Sequence, residues 1–125
     1  MNARYFYDEY TNDGGATFCH QLAQFLSTLQ TGVKADDRTA VSQLVYYPLD
    51  SNIPVNNETE FVHEYDQLID ATRTQQIYAA DIGNVSIIDY YGVMIDNGFW
   101  LKYIQNYDAP SSSYFVISSM ALPSR

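Results

Sequence analysis

The apolar periodicity of this sequence changes once, near Gly83-Asn84, and no other feature constrains the fold as strongly. Before this point, apolar residues recur every three or four positions, which is the spacing of one buried helix face. After it, runs of β-branched and aromatic residues are separated by turn-forming residues, which is typical of strands. Helices followed by antiparallel strands predict the α+β class, with three helices packed on an antiparallel sheet.

The chain has the length of one domain. Its 125 residues are 46% hydrophobic, which is enough apolar material for a self-sufficient core. Residues 1–15 are rich in tyrosine and acidic residues and end in Gly14-Gly15, a dipeptide that interrupts regular structure. The predicted organisation is therefore a flexible or swapped N-terminal arm over residues 1–15 and one α+β domain over residues 16–125.

Two helices are predicted before Pro48. The first covers residues 16–30 and is followed by Gly32 as its stop signal. Its buried face is an apolar stripe formed by Phe18, Leu22, Phe25, Leu26 and Leu29. The second covers residues 36–47, with Asp36 or Asp37 at its positive end and Pro48 as its stop. Its predicted buried residues are Ala40, Val41, Leu44 and Val45.

A third helix is predicted to begin at Asn57. The segment Asn57-Glu58-Thr59-Glu60 places an acidic residue three positions after an N-cap residue, which is a variant of the capping box. The predicted buried face of this helix contains Phe61, Tyr65, Leu68 and Ile69. A weaker helical pattern follows over residues 73–80 and contributes Ile77 and Ala80 to the core.

The dipeptide Asn97-Gly98 predicts a tight hairpin, because both residue types accept the positive φ angles of a two-residue turn. A strand within residues 85–95 then pairs with a strand over residues 99–105, and a last strand covers residues 114–121. The simplest register places Asp96 opposite Phe99 and continues without interruption. It pairs Ile95 with Trp100, Met94 with Leu101 and Val93 with Lys102.

In this register both faces of the sheet are apolar. One face carries Ile88, Tyr90, Met94, Phe99, Leu101 and Tyr103. The other carries Asp89, Tyr91, Val93, Ile95, Trp100, Lys102 and Ile104. An antiparallel sheet with one face in water should alternate between apolar and polar residues, so both faces are predicted to be covered. The helices cover one face, and a second copy of the chain covers the other through Tyr91, Val93, Trp100 and Ile104. The alternative is that the N-terminal arm folds back over this face.

The charge balance excludes several partners. The chain has six Lys and Arg residues against 15 Asp and Glu, a formal net charge of −9, and the cations are scattered. Binding to nucleic acid or to an anionic membrane needs clustered cations, so neither is predicted. An acidic chain is instead suited to a basic protein partner. The single Cys19 and the absence of a signal-peptide pattern at the first residues predict a cytoplasmic location.

Few residues are candidates for chemistry. One cysteine and two histidines, without metal-ligand spacing, predict no metal site and no cofactor. Asp89 interrupts the apolar segment 85–91, and burial there would raise its pKa and suit it to proton transfer. Tyr47, Tyr65 and Tyr91 are candidates to place hydroxyls in the same pocket. The alternative is that Asp89 is solvated at an edge and that the tyrosines belong to the core or an interface.

Several stretches resemble a known family. The segments Tyr47-Pro48-Leu49 and Gly92-Val93-Met94-Ile95-Asp96-Asn97-Gly98 are similar to small bacterial proteins with the cone-shaped fold of the nuclear transport factor 2-like superfamily. The similarity extends over residues 18–104, and the chain departs from the pattern in its aromatic residues Phe99 and Trp100. The resemblance implies helices wrapped by a curved antiparallel sheet, a pocket at the mouth of the cone and dimerisation through the sheet.

Three functional hypotheses follow. The first is a dimeric, non-enzymatic binding or accessory module with a small apolar pocket. The second is a small-molecule isomerase or lyase that uses Asp89 as its base, because the superfamily includes such enzymes as well as non-enzymes. The third is an acidic inhibitor or immunity protein that binds a basic protein.

Overall fold

A computed structural model describes residues 16–87, 92–96, 98–105, 108–109 and 113–122 of the chain. The helices in these residues are α1 (Ala16–Lys34), α2 (Arg38–Ser42), α3 (Glu58–His63), α4 (Tyr65–Leu68) and α5 (Ala71–Ala79). The strands are β1 (Val45–Asp50), β2 (Ser86–Ile87), β3 (Gly92–Asp96), β4 (Phe99–Ile104) and β5 (Tyr114–Met120).

The described strands form one mixed sheet in the order β1-β5-β4-β3-β2. The pairs β2–β3, β3–β4 and β4–β5 are antiparallel, whereas β1 lies parallel to β5. The order is linear, with β1 and β2 at the two edges, so the sheet is not closed into a barrel. The α+β class and the predicted meander of three C-terminal strands are confirmed, and β1 is an additional strand.

Helix α1 buries the predicted stripe. Its five members are all in the hydrophobic core, between 0 and 8% exposed: Phe18, Leu22, Phe25, Leu26 and Leu29. The helix continues one turn beyond the predicted end, because Val33 is also buried at 7% exposure and adds to the same face. The prediction that Gly32 stops the helix is therefore wrong. A Cβ at Gly32 would lie 3.0 Å from Cγ2 of Val41, so this glycine permits close packing of α1 on α2.

The actual end of α1 is a Schellman motif. The N–H of Asp37 donates to the carbonyl of Gly32 at 2.9 Å, and the N–H of Asp36 donates to that of Val33 at 3.1 Å. Asp36 has a φ of 52° and occupies the left-handed position that usually favours glycine or asparagine. The residue that ends α1 is thus Asp36, four positions after Gly32.

The second predicted helix is wrong beyond Ser42. Only α2 is helical, and the chain then enters strand β1, in which Val45 lies opposite Ile117 of β5. Considered without the rest of the chain, the apolar residues within 44–49 fit the helical period and the strand period equally well. Pairing with a strand that lies about 70 residues further along the chain decides in favour of the extended form. Pro48 is therefore a residue within an edge strand and does not end a helix.

The exposed edge of β1 is partly closed by the chain itself. Pro48 has no N–H to offer to another strand, and its peptide bond with Tyr47 is cis. The next residue, Leu49, donates its N–H to the carbonyl of Val55 at 2.9 Å. The missing N–H of Pro48 and the hydrogen bond of Leu49 reduce the number of donors that β1 offers for edge-to-edge association.

Three helices begin at a capping side chain. Asp37 Oδ1 accepts from the N–H of Ala40, and Asp70 Oδ1 accepts from that of Arg73. The third cap confirms the predicted start at Asn57, whose Oδ1 accepts from the N–H of Glu60 at 2.9 Å. The predicted third helix is divided at Glu64 into α3 and α4. Its predicted apolar face is nevertheless buried: Phe61, Tyr65, Leu68 and Ile69.

The hairpin register differs from the prediction by one residue. Asp96 lies opposite Phe99 as predicted, but Met94 then pairs with Trp100 and Val93 with Leu101, because Ile95 is an extra residue in β3. Such a bulge moves every earlier side chain of the strand to the other face. Val93 therefore lies in the chain's own core at 0% exposure, and not on the surface predicted for a second copy.

The two faces of the sheet have different surroundings. The inner face packs on the helices and contributes Val93, Phe99, Leu101, Tyr103, Phe115 and Ile117 to the core. The outer face is defined here by Tyr46, Pro48, Asp50, Met94, Trp100, Lys102, Ile104, Tyr114 and Val116. Four of its apolar members, Met94, Trp100, Ile104 and Val116, are half-buried, and Tyr46 and Tyr114 are more than half exposed, at 56% and 54%.

Candidate functional site

A groove runs between helix α1 and the beginning of strand β5. The helix lines one wall with Gln21, Gln24, Phe25 and Thr28, whose spacing of three and four residues places them on one helical face. The opposite wall is formed by Leu44 and residues 113–115. The groove has a volume of about 330 Å³ and is open to the surface.

The floor and the rim of the groove differ in polarity. Phe25 and Phe115 are buried, at 8% and 5% exposure, and Leu44 is half-buried beside them. Gln24 and Thr28 are exposed at the rim. None of the described residues that line the groove carries a charge at neutral pH. The groove therefore offers an apolar floor and uncharged hydrogen-bonding groups.

Aromatic contacts fix the position of α1 on the sheet beneath this groove. The Phe18 ring meets Tyr103 edge-to-face at a centroid distance of 5.0 Å and Phe115 at 5.2 Å. The Tyr103 hydroxyl donates to Oε1 of Gln21 at 2.5 Å. The floor is consequently held by residues of α1, β4 and β5 together.

A second groove, of about 300 Å³, lies on a neighbouring face of α1, against α2. It shares Thr28 with the first and is otherwise lined mainly by small residues, including Gly32 and Ala40. The carboxylate of Asp37, its charged lining residue, already caps α2. The groove beside β5 is therefore the better candidate for a ligand.

The tyrosines predicted for a catalytic pocket do not line the first groove. The Tyr47 hydroxyl donates to the carbonyl of Ser42 at 2.8 Å, and burial, with a smaller contribution from Glu58, raises the pKa of this hydroxyl. Tyr65 lies beneath Arg38, whose guanidinium carbon is 4.5 Å from the ring centroid. Burial also raises the pKa of Tyr65. The remaining candidates, Asp89 and Tyr91, lie outside the described residues.

Arg38 joins two parts of the helical half. Its guanidinium contacts Oδ1 of Asp36 at 3.0 Å and Oδ1 of Asp66 at 2.9 Å. Hydrogen bonds to Asp66 and then Asp36 raise the pKa of Arg38. Both carboxylates are largely exposed, so this cluster is a surface ion-pair network that ties the end of α1 to α4.

The most extensively bonded polar group in the described core was not predicted. Arg73 is 3% exposed and forms a two-point ion pair with Asp96, with Nε–Oδ2 at 3.0 Å and Nη2–Oδ1 at 3.1 Å. Its Nη1 donates to the carbonyls of Leu68 and Ala121 at 2.8 and 2.7 Å. The sequence indicates Arg73 only through its position on the predicted buried side of the weaker helical pattern over residues 73–80. Its role is to connect α5 with the ends of β3 and β5.

The remaining chemical candidates give no site. Both His20 and His63 are exposed, and within the described ranges no three His, Cys, Asp or Glu residues converge as metal ligands do. Of the helices described, none is both long enough and apolar enough to span a bilayer.

Comparisons with known proteins leave the class of this protein undecided. No family model matches the chain, and neither a curated protein nor a solved structure does. The likeness to the nuclear transport factor 2-like superfamily therefore stays a prediction from the sequence.

Proposed function

We propose that this protein is a non-enzymatic binding module that holds a small ligand in the groove between α1 and β5. The observation that carries this proposal is the composition of the groove. It combines a buried apolar floor with an uncharged polar rim in a volume of about 330 Å³. Small-molecule sites have this combination, and their volumes begin at about 300 Å³.

A substitution that fills the groove tests this proposal. In the variant Gln24→Trp an indole replaces an exposed side chain that lines this groove and not the second one, and we expect it to occupy the space a ligand would take. Fragments that give saturation-transfer NMR signals with the wild type should lose them with this variant. The matched control is Ala23→Trp, at an exposed α1 position outside the groove. Equal signals from both variants, with both folded by circular dichroism, would show that ligands do not enter this groove.

The cone-shaped arrangement of the nuclear transport factor 2-like superfamily is part of the same proposal. Two irregularities of the sheet support it, since bulges bend strands and increase their twist. One lies in β3 at Ile95, and the other lies in β5 between the partners of Trp100 and Leu101. The parallel pairing of β1 with β5 departs from the purely antiparallel sheet predicted from the sequence.

We further propose that the module is a homodimer that associates through the outer face. The chain carries 15 acidic residues, so two copies repel each other across most orientations. Among the described residues of the outer face, the charges are those of Asp50 and Lys102, which cancel. Half-buried Trp100 and Ile104 lie on either side of Lys102 along β4 and supply the aromatic and aliphatic surface typical of interface centres.

A charge placed on the outer face should separate the dimer. We expect light scattering to give the wild type twice the 14.3 kDa of one chain at micromolar concentration. Ile104→Glu should give one chain mass, because each interface would bury two uncompensated carboxylates. The control Ile82→Glu places the same charge at a 42% exposed position away from this face. A monomeric wild type would contradict the dimer. Dimerisation only after deletion of residues 1–15 would favour the arm as the covering segment.

The other two functions stay predictions. A lyase or isomerase depends on Asp89, which lies outside the described residues. An inhibitor of a basic protein would use exposed carboxylates such as those of Asp36 and Asp66. Arg38 pairs with both and already neutralises part of their charge.

A further inference from the structure

We infer that the groove between α1 and β5 selects an uncharged ligand with one flat ring and a hydrogen-bonding group such as an amide. This inference rests on the proposed binding function and adds the chemical class of the ligand. The charge of the groove, its shape and its polar rim each support this ligand class.

The groove excludes charged ligands. Among the residues that the structure describes, its lining contains no carboxylate, ammonium or guanidinium group, in a chain that has 15 acidic and six basic residues. A carboxylate ligand would find no cation there and would also meet the net charge of −9. A cationic ligand would lose hydration without gaining an ion pair. A neutral molecule avoids both losses.

The floor favours a flat ring. The rings of Phe25 and Phe115 have centroids 6.2 Å apart and are tilted by 48°, and Leu44 lies beside them. Aromatic rings pack well in such offset arrangements, where a planar molecule contacts both faces and edges. The volume of about 330 Å³ is at the lower end for ligand sites, which favours a molecule with one ring.

The rim favours an amide. Gln24 and Thr28 are four residues apart on α1 and therefore adjacent on its surface. The Thr28 hydroxyl donates its proton to the backbone carbonyl of Gln24 at 2.9 Å, which leaves the hydroxyl oxygen as an acceptor for a hydrogen bond from a ligand. The Gln24 side chain carries both a carbonyl and an NH₂ group, which complement the two groups of another amide.

Benzamide is the simplest probe of this class. We expect titration of the full ¹⁵N-labelled chain with benzamide to shift the backbone amide signals of Gln24, Thr28 and Phe115. Benzoate and benzamidinium have the same size but opposite charges, and each should bind roughly tenfold more weakly. Cyclohexanecarboxamide keeps the amide without the flat ring and should also bind more weakly. An equal or higher affinity for any of these three would overturn the proposed ligand class.

A charge added at the rim should change the preference. Gln24→Lys is expected to raise the affinity for benzoate above that for benzamide, because the ammonium would face the groove. Gln76→Lys, an exposed glutamine on α5, adds the same charge elsewhere and should leave the preference unchanged. If no probe binds but Gln24→Trp still abolishes the fragment signals, the ligand class is wrong and the binding function stands. If no probe binds and Gln24→Trp leaves the fragment signals unchanged, the binding function is wrong as well.

Discussion

Replacing Arg73 with Gln is expected to lower the free energy of unfolding by about 3–5 kcal/mol, because it leaves a largely buried carboxylate without its partner. The Asp96 side chain is only 19% exposed, and both of its oxygens contact the guanidinium. The carbonyls of Leu68 and Ala121 would lose a donor at the same time. A buried polar group without a partner is among the largest sources of destabilisation.

The effect should extend to the packing of neighbouring backbone. A Cβ at Gly98 would lie 3.6 Å from Nη2 of Arg73 and 3.1 Å from the Cβ of Ala121. The N–H of Ala121 donates to the carbonyl of Gly98 at 2.8 Å. Arg73 therefore holds the hairpin turn and the end of β5 against α5, and its loss frees three elements together.

Arg38→Gln is the matched control for this prediction. Arg38 also pairs with two aspartates, but these are 70% and 82% exposed and remain solvated when the arginine is removed. Urea unfolding followed by circular dichroism should show a much smaller shift of the midpoint for Arg38→Gln than for Arg73→Gln. Similar shifts for the two variants would mean that the pair of Arg73 and Asp96 is not buried as described.

Replacing Phe18 with Ala is expected to lower the free energy of unfolding by about 3–5 kcal/mol, since it leaves a ring-sized cavity in the core. The ring is 1% exposed and packs edge-to-face against Tyr103, with Phe115 on another side. It attaches α1 to the sheet at the groove floor. The same unfolding experiment measures the loss.

Phe18→Leu is the control for the size of the cavity. Leucine keeps much of the apolar volume and gives up the edge-to-face contacts, so its midpoint should lie between those of the wild type and Phe18→Ala. A wild-type midpoint for Phe18→Ala would contradict the packing of α1 on β4 and β5. Weaker fragment binding to Phe18→Leu than to the wild type would additionally connect this contact with the groove.

The parts of the fold that could be predicted from the sequence are those determined within a few residues. The stripe of α1 is a property of one helix face, and the cap at Asn57 depends on a glutamate three residues away. The hairpin turn before Phe99 could be predicted because it depends only on the residue types of the turn itself. The α1 wall of the groove could also be predicted in part, since Phe25 belongs to the predicted apolar stripe of this helix.

The other wall of the groove required contacts that are distant in sequence. Residues 113–115 meet α1 only because β5 lies in the sheet beneath it, and nothing near Phe25 indicates this. Residues 45–47, the first half of β1, are predicted as helix because the pairing partner of Val45, Ile117, lies far along the chain. The bulge at Ile95 escaped prediction because a regular register leaves the local pattern equally apolar.

The sequence by itself determined the α+β class, the buried faces of α1 and of α3 with α4, and the turn, because local spacing and backbone preferences are sufficient for these. Only the tertiary structure decided that Val93 is buried, that Arg73 pairs with Asp96, and that α1 and β5 enclose a groove. The physical reason is the same in each case. These features depend on the free energy of contacts between segments that are far apart in the chain, and the periodicity of one segment contains no information on its partner.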